Sequence, residues 1–439
     1  MPGPQDHPIL EFRQVCKSFA KPSGEPLAVL SNIDVALHGG EILGLLGRSG
    51  SGKSTLLRIA AGLIKASSGE VLYRGAPLDG PSEGIAVVFQ TFALYPWLTV
   101  IENVEAGLDA LRLTRAETRR RALAAIELIG LSGFQSAYPR ELSGGMRQRV
   151  GFARAIVADP TVLLMDEPFS ALDVLTAETL RTDFLDLWTG HQLATKSVLM
   201  VTHNIEEAVL MCDRILILSS NPGRIAAEIR VPLEHPRDRL EGEFHKIVDE
   251  IYSILTSRTL ESLRAHVRPL GGLAQSLPPV SVNRISGFLE TLSAAPYSGR
   301  AELADLARAL GLQVDNLFPI AEALHILEFA ELSDGALRLT AAGGVYAKAD
   351  TDQRQRLFRE HLLRFVPLVA HIHRILEERE DHQAPYLRFE AELEDHLPRR
   401  EAERTLRAVI GWGRYAGLYA YEHGSRRFTI ADARQPDQA

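Results

Sequence analysis

The chain has 439 residues, enough for two or three domains that each bury a core. Its 48 basic and 56 acidic residues leave a net charge of -8, which argues against nonspecific nucleic-acid binding by the molecule as a whole. Cys16 and Cys212 lie in apolar contexts and are expected as buried thiols of a reducing, intracellular compartment, Met1 to Pro8 lacks the apolar core of a signal peptide, and no apolar run spans a bilayer, so any pore must be another polypeptide.

In chain order, the first strong signal is the apolar run Ile42 to Leu46, a buried strand, followed by Gly47, Arg48, Ser49, Gly50, Ser51, Gly52, Lys53, Ser54 and Thr55. A helical pattern through Leu56, Leu57, Ile59, Ala60 and Leu63 comes next. A glycine-rich loop between strand and helix turns successive N–H groups inward, and the helix adds its positive dipole end, so the loop is a phosphate cradle. Lys53 is expected to reach the β- and γ-phosphates of a nucleotide, and the Ser54 hydroxyl to complete Mg²⁺ coordination.

The strand Ile85 to Phe89 then ends at Gln90, and Thr91 to Val104 crowds Tyr95, Pro96 and Trp97 into a stretch that has the look of an exposed anchor cluster. Arg119, Arg120 and Arg121 fall on a helix from Arg115 to Ile129 and read as a solvated face. Leu142 to Gln148, with Ser143, Gly144 and Gly145 just before a helix, forms a second set of backbone donors aimed at an anion. One nucleotide cannot easily use both loops within one subunit. Val162 to Met165 is a buried strand running into Asp166 and Glu167, with Ser170 to Asp173 following, and Val198 to Val201 runs into Thr202 and His203.

With these motifs in this order, residues 9 to 235 resemble the ATP-binding subunit of ABC transporters. The resemblance implies an α/β P-loop NTPase of ABC type with a helical subdomain. It implies a head-to-tail homodimer or pseudo-dimer in which each ATP closes between one subunit's P-loop and the other's signature, Ser143, Gly144, Gly145 and Gln148. Asp166 would hold Mg²⁺ and Glu167 would orient and polarise the attacking water, the alternative for Glu167 being a second metal ligand. Gln90 would sense Mg²⁺ and γ-phosphate, the alternative being an exposed strand end. His203 would contact the γ-phosphate and the water, the alternative being a cap on the helix from Asn204. Phe19 would stack on adenine, the alternative being plain strand core. Tyr95 to Trp97 would lie in the groove that receives a membrane permease. The wording around Phe89-Gln90, Asp213 to Leu218, Asn221 to Ile225 and His235 to Asp238 is most similar to the nitrate, sulfonate and taurine importers.

After residue 239 these motifs end. Arg239 to His266 reads as a connecting helix and Arg268 to Pro279 as a linker. Helical spacing through Val282, Ile285, Phe288 and Leu292, then Leu303, Leu306 and Leu310, then Leu317, Ile320 and Leu324 precedes a hairpin with Asp334-Gly335 at its turn. Three helices and a two-stranded wing make a winged helix, and a second copy is indicated by a helix from Ala402 to Gly411 and strands from Leu418 to Tyr421 and Arg427 to Ile430. This region resembles the C-terminal AAA-associated domain of some nitrate/sulfonate-type ATPases. The third helix of the first copy has no Lys or Arg, and Glu401 and Glu403 interrupt the arginines of the second, so nucleic acid is an unlikely partner and regulation the expected role.

The expectation is an ABC ATPase domain at 9–238, a connecting helix and linker at 239–280, and a mostly α, tandem winged-helix-like regulatory domain at 281–439. The function expected is ATP-driven import of a small oxyanion-type solute through a separate permease, fed by a periplasmic solute-binding protein. The protein would sit peripherally on the cytoplasmic face of a bacterial inner membrane. The alternative is a non-transport ABC ATPase, or an ATP-dependent regulator whose winged helix binds nucleic acid; the paired ATPase units or long coiled-coil insertions usual in the non-transport class are not in the chain.

Overall fold

The computed structural model describes residues 7–20, 26–220, 222–266, 275–333 and 335–430, leaving aside the side chains of 257–266 and 314. Met1 to Asp6 of the N-terminal segment, Asn221, the 268–274 part of the linker, and Asp334 of the hairpin turn lie outside the described residues. The chain divides into two compact units, Met1–Val248 and Asp249–Ala439.

In the first unit, strands too apolar to tolerate water on either face form the middle of a six-stranded sheet. Its order is Ile225–Arg230, Arg214–Leu218, Ile42–Leu46, Ser197–Thr202, Val162–Asp166 and Ile85–Val88, parallel except for Ile225–Arg230. Every residue of Ile42–Leu46, Val162–Asp166 and Ser197–Thr202 is buried. A four-stranded antiparallel sheet, ordered Leu27–Leu37, Leu10–Phe19, Ser68–Tyr73 and Ala76–Pro77, contributes Leu10, Phe12, Val15, Ile33 and Leu37 to the same core as Leu43, Leu45, Leu56 and Leu164. The helices Val100–Glu105, Arg115–Leu128 and Gly144–Ile156 form a helical layer in which Thr99, Thr114 and Ser143 cap the helix starts.

The register aligns the strand ends. Leu46 pairs with Thr202, Asp166 with Val201, and Val88 with Met165. The residues that follow these strands, Gly47, His203, Glu167 and Phe89-Gln90, therefore leave the sheet along one edge, at the carboxyl ends of parallel strands where open α/β sheets bind ligands.

The helix Gly242–His266 contains the division between the units. Past that division, Tyr252 stacks on Phe318 at 6.4 Å. The second unit runs helix Val282–Ser293, strand Arg300–Glu302, helices Leu303–Leu310 and Val314–Ile326, then strands Ala330–Ser333 and Ala336–Leu339. The same order recurs as Pro367–Glu378, Gln383–Pro385, Tyr386–Glu394, Arg399–Tyr415, Tyr419–Glu422 and Arg427–Ile430. Each set closes a three-stranded antiparallel sheet with the short first strand at one edge. Those edge strands escape sequence reading because three residues cannot show a two-residue period. The helices Ala341–Lys348 and Thr351–Phe365 between the two sets were also not anticipated, and the second set's third helix is longer than the expected Ala402 to Gly411 because Pro398 opens it and it continues to Tyr415.

Trp412 anchors this unit: its ring is buried edge-on against Phe358 at 6.2 Å, and its Nε1 donates to the Val280 carbonyl at 2.7 Å. Trp412→Ala leaves a cavity and an unpaired carbonyl and is expected to cost about 3–5 kcal/mol. Urea denaturation followed by circular dichroism measures it, and a loss below about 1 kcal/mol would contradict this packing.

Candidate functional site

The loop after Ile42–Leu46 is shaped by glycine where no side chain fits. Gly52 has φ of 91° and an added Cβ would lie 2.6 Å from Leu30, while at Gly47 it would lie 2.7 Å from the Leu218 carbonyl. The helix Lys53–Ala60 makes its first backbone bond from Leu56 to Gly52, so the N–H groups of its first turn face outward from the helix end. Lys53 is nearly buried, and its Nζ donates to the carbonyls of Gly47 at 2.5 Å and Arg48 at 3.1 Å. Ser51 is fully buried with a hydroxyl that has no hydrogen-bond partner among the described residues. A loop with an ammonium group wrapped inside it and an unsatisfied buried donor has the chemistry of a polyphosphate cradle.

Across from the loop, the strand Val162–Asp166 delivers two carboxylates in succession. Ser54 Oγ donates to Asp166 Oδ1 at 2.9 Å. Burial raises the Asp166 pKa above the usual carboxylate range; the Ser54 hydrogen bond offsets part of this and the neighbouring Glu167 charge adds to it. Glu167 takes a left-handed backbone, φ 47°, held by a hydrogen bond from its N–H to the Val201 carbonyl at 3.0 Å. For a non-glycine residue this conformation is costly and concentrates at functional sites. Its Oε2 lies 3.1 Å from His203 Nδ1 and accepts from Gln90 Nε2 at 3.1 Å. The Glu167 pKa is lowered, first by its hydrogen bond to His203, against an opposing burial effect. Two adjacent carboxylates are thus pushed in opposite directions by their different surroundings.

His203 does not cap the helix Ile205–Met211; Asn204 does, accepting from the Glu207 N–H at 3.1 Å. Behind it lies an arrangement that sequence reasoning missed. Thr202 Oγ1 donates to Glu207 Oε2 at 2.5 Å, and the other Glu207 oxygen lies 3.5 Å from Arg181. Glu207 and Arg181 are both buried, and neither occupies a motif position, so only the fold could bring them together. Ser170 joins the site by donating to the Glu167 carbonyl at 3.0 Å and accepting from Gln90 at 3.2 Å.

Phe19 ends its strand 42 % exposed, with Lys17 Nζ 5.0 Å from its ring centroid, so it is not core. Ser143 caps the helix Gly144–Ile156, and Gly145 admits no Cβ because Thr176 would be 2.4 Å away. Gln148 is fully buried with neither amide atom hydrogen-bonded among the described residues. No hydrogen bond or ion pair among the described residues joins Ser143, Gly144, Gly145 or Gln148 to the P-loop or to the carboxylates. Gln90 is exposed at the turn after its strand, and the next residues Phe92 and Ala93 have φ of 30° and 48°, with both carbonyls bonded by Arg154 at 3.1 and 2.7 Å. Beyond them Tyr95 and Trp97 pair at 5.6 Å with Trp97 69 % exposed. The buried Asn103 fixes this stretch by donating to the carbonyls of Tyr95, Leu98 and Thr99 at 3.0–3.1 Å. A groove of about 310 Å³ runs beside it, lined by Phe89, Ala93, Tyr95, Ala106 and Arg154.

The hydroxyl and carboxylate oxygens of Ser54 and Asp166 are hard ligands of the kind Mg²⁺ takes in ones and twos, the remainder coming from phosphates and water. Because folding disfavours the ionised form of Asp166, the stability present below the ordinary carboxylate range is lost as pH rises through its raised pKa. Asp166→Asn is therefore expected to raise the melting temperature of the nucleotide-free protein at neutral pH while weakening Mg²⁺-nucleotide binding. Calorimetry with and without Mg²⁺-ATP reads both, and an Asn variant that melts lower without nucleotide would refute the electrostatic account.

The family model for ABC transporters matches residues 30–170, and that for the C-terminal AAA-associated domain matches residues 304–422. An uncharacterized ABC transporter ATP-binding protein of Methanocaldococcus jannaschii is 43% identical over 242 residues, 55% of this chain and 90% of that protein. The nitrate import ATP-binding protein NrtD of Synechocystis sp. is 42% identical over 265 residues, covering 58% of this chain and 98% of that one. The taurine import ATP-binding protein TauB of Burkholderia pseudomallei is 47% identical over 231 residues, covering 53% and 86%. No described helix is long and apolar enough to cross a membrane. With an ABC-type phosphate loop, paired carboxylates and signature helix on one α/β unit, and with relatives aligned over nearly their whole length, the chain belongs to the ATP-binding proteins of ABC transporters, ATPases coupled to transport.

Proposed function

We propose that this chain is the subunit that hydrolyses ATP to drive import of a small oxyanion-type solute, such as nitrate, a sulfonate or taurine, through a separate membrane permease. The observation that carries it is the convergence at one sheet edge of Lys53 and Ser54, Asp166 against Ser54, and Glu167 against His203 and Gln90. The solute class is supported by the nitrate and taurine importers among the relatives.

In this reading the loop from Gly47 to Thr55 binds the phosphates of ATP through backbone N–H groups, with Lys53 as the point charge on the β- and γ-phosphates. Mg²⁺ neutralises phosphate charge, and Ser54, Asp166 and Gln90 are the side chains that would hold it. Glu167, kept ionised by His203, orients and polarises the attacking water, and His203 and Gln90 report on the γ-phosphate. Phe19, exposed beside Lys17, stacks on the adenine. Positioning and charge do most of the work, since phosphoryl transfer asks for little covalent chemistry from the protein.

Ser143, Gly144, Gly145 and Gln148 serve the nucleotide of a second copy, which is supported by their position at the start of the helix Gly144–Ile156, a set of donors separate from the phosphate loop before Lys53–Ala60. The dimer works on the cytoplasmic face of a bacterial inner membrane. There the Tyr95–Trp97 groove takes the permease, and a periplasmic solute-binding protein acts only through that permease. Residues 9–238 form the ATPase domain, 239–280 the connection, and 281–439 a regulatory domain.

Glu167→Gln is expected to lower the ATPase rate by about 10²- to 10⁴-fold while ATP still closes the dimer. Gel filtration with ATP should show a lasting dimer, and a monomer that hydrolyses ATP normally would refute the shared site. In host cells lacking the chain, uptake of radiolabelled nitrate, sulfonate or taurine should fail for one solute and return with the wild-type chain but not with Lys53→Ala. Undiminished uptake of all three would overturn the solute assignment while leaving the ATPase assignment intact.

A further inference from the structure

The two winged-helix sets treat their third helices differently. In the first, Val314–Ile326 buries Leu317, Phe318, Ile320, Ala321, Ala323 and Leu324, and among its described side chains only that of Asn316 is exposed. It carries no Lys or Arg. In the second, Arg399–Tyr415 buries Ala402, Thr405, Leu406, Val409 and Trp412 and leaves an outer face open. The exposed positions Arg400, Arg404, Arg407, Gly411 and Arg414 recur at intervals of three and four residues. At about 100° per residue they fall within a narrow stripe on one side of the helix, extending about 21 Å.

The acidic residues that break the arginine run in sequence do not interrupt this stripe. Glu403 sits at its flank, where it ties back Arg399 at 3.4 Å and Arg407 at 3.9 Å. Glu401 falls about 100° away from Arg400. Among the described residues, Arg400, Arg404 and Arg414 have no carboxylate at ion-pair distance. The hairpin of Tyr419–Glu422 and Arg427–Ile430 adds two exposed arginines at its tip, Arg426 in the turn, 3.8 Å from Glu390, and Arg427 at the start of the second strand, which donates to Gln383 at 3.2 Å. Gly411 stands in the middle of the stripe with open space where a Cβ would project, so a partner can approach the helix backbone there.

We infer that the outer face of Arg399–Tyr415, together with the Arg426–Arg427 hairpin tip, is a docking surface for double-stranded DNA. A major groove admits a single α-helix, and arginine suits both phosphate oxygens and guanine edges. A membrane surface fits less well, because interfacial helices insert apolar side chains and this stripe has none. The net charge of -8 is no obstacle when the arginines are sorted onto one face, since attraction is local within a Debye length of about 10 Å. The expectation that nucleic acid is an unlikely partner rested on the net charge, on the first copy's helix without Lys or Arg, and on Glu401 and Glu403 interrupting the second copy's arginines; of these, the helix turns Glu401 away and leaves Glu403 at the flank of the stripe, paired with Arg399 and Arg407.

The test is fluorescence anisotropy of the full-length protein on a labelled random-sequence duplex of about 30 base pairs, spanning several helical turns. At about 50 mM salt the expected dissociation constant is in the micromolar range, and its logarithm should change with a slope of about 4 to 5 against that of salt concentration if about five phosphates are engaged. Arg404→Glu with Arg407→Glu should weaken binding at least about tenfold. So should Gly411→Glu, whose side chain enters open space and leaves the packing intact; both variants should keep wild-type circular dichroism and ATPase activity. Absence of duplex binding by the wild type at about 100 μM, or equal binding by well-folded variants, would overturn the inference. Binding to phosphatidylglycerol vesicles without duplex binding would overturn it in favour of a membrane.

Discussion

The hydrogen-bonded register of the strand Val162–Asp166 against Ser197–Thr202 and Ile85–Val88 is the constraint on which the candidate site depends. Val162–Asp166 and Ser197–Thr202 are buried along their whole length, so a slip of one residue would exchange the environments of every side chain on them. Fixing Asp166 opposite Val201 also fixes where the chain leaves the sheet, and the Glu167 N–H then bonds the Val201 carbonyl as the backbone turns into its left-handed conformation. The ends of Ile42–Leu46 and Ser197–Thr202 lie at the same level, which sets Gly47 and His203 beside the carboxylates. The site is a property of aligned strand ends more than of any single motif.

Electrostatics then divides the labour between neighbours. Asp166 and Glu167 are covalently adjacent, but Asp166 is dominated by burial and Glu167 by its contact with His203, so their pKa values move apart. The difference comes from what surrounds each carboxyl. Further back, Glu207 and Arg181 are buried as a pair, with Glu207 accepting from Thr202, the residue before His203. A buried pair of this kind contributes little net stability, but removing one partner strands the other's charge. Its place in the fold suits holding the Thr202–His203 strand end in position.

The second unit uses one element order twice with opposite exposure of the third helix. In Val314–Ile326 the outward positions are few and uncharged by any Lys or Arg, while Arg399–Tyr415 turns arginines outward along one stripe. Burial of Trp412, Leu406 and Val409 fixes which side of that helix faces in, and the arginine face follows. The same packing that stabilises the unit therefore presents its charged surface.

The sequence by itself determined the parts that depend on local chemistry. Glycines in a loop between an apolar strand and a helix, lysine at that helix start, and carboxylates at the end of an apolar strand each carry their reason within a few residues, whereas the clashes that bar a Cβ at Gly52 and Gly47 come from the distant Leu30 and Leu218. Helical spacing likewise marked the apolar faces of Val282–Ser293 and Leu303–Leu310. Only the tertiary structure decided what depends on residues distant in the chain. The three-residue strands Arg300–Glu302 and Gln383–Pro385 form because a hairpin edge far along the chain offers them partners. Glu207 and Arg181 meet because two helices pack, Asn204 and not His203 turns out to cap, and Glu403 lies beside the arginine stripe instead of across it. Alternation along a chain records neighbours in sequence, whereas charge acts between neighbours in space, and the fold alone supplies those.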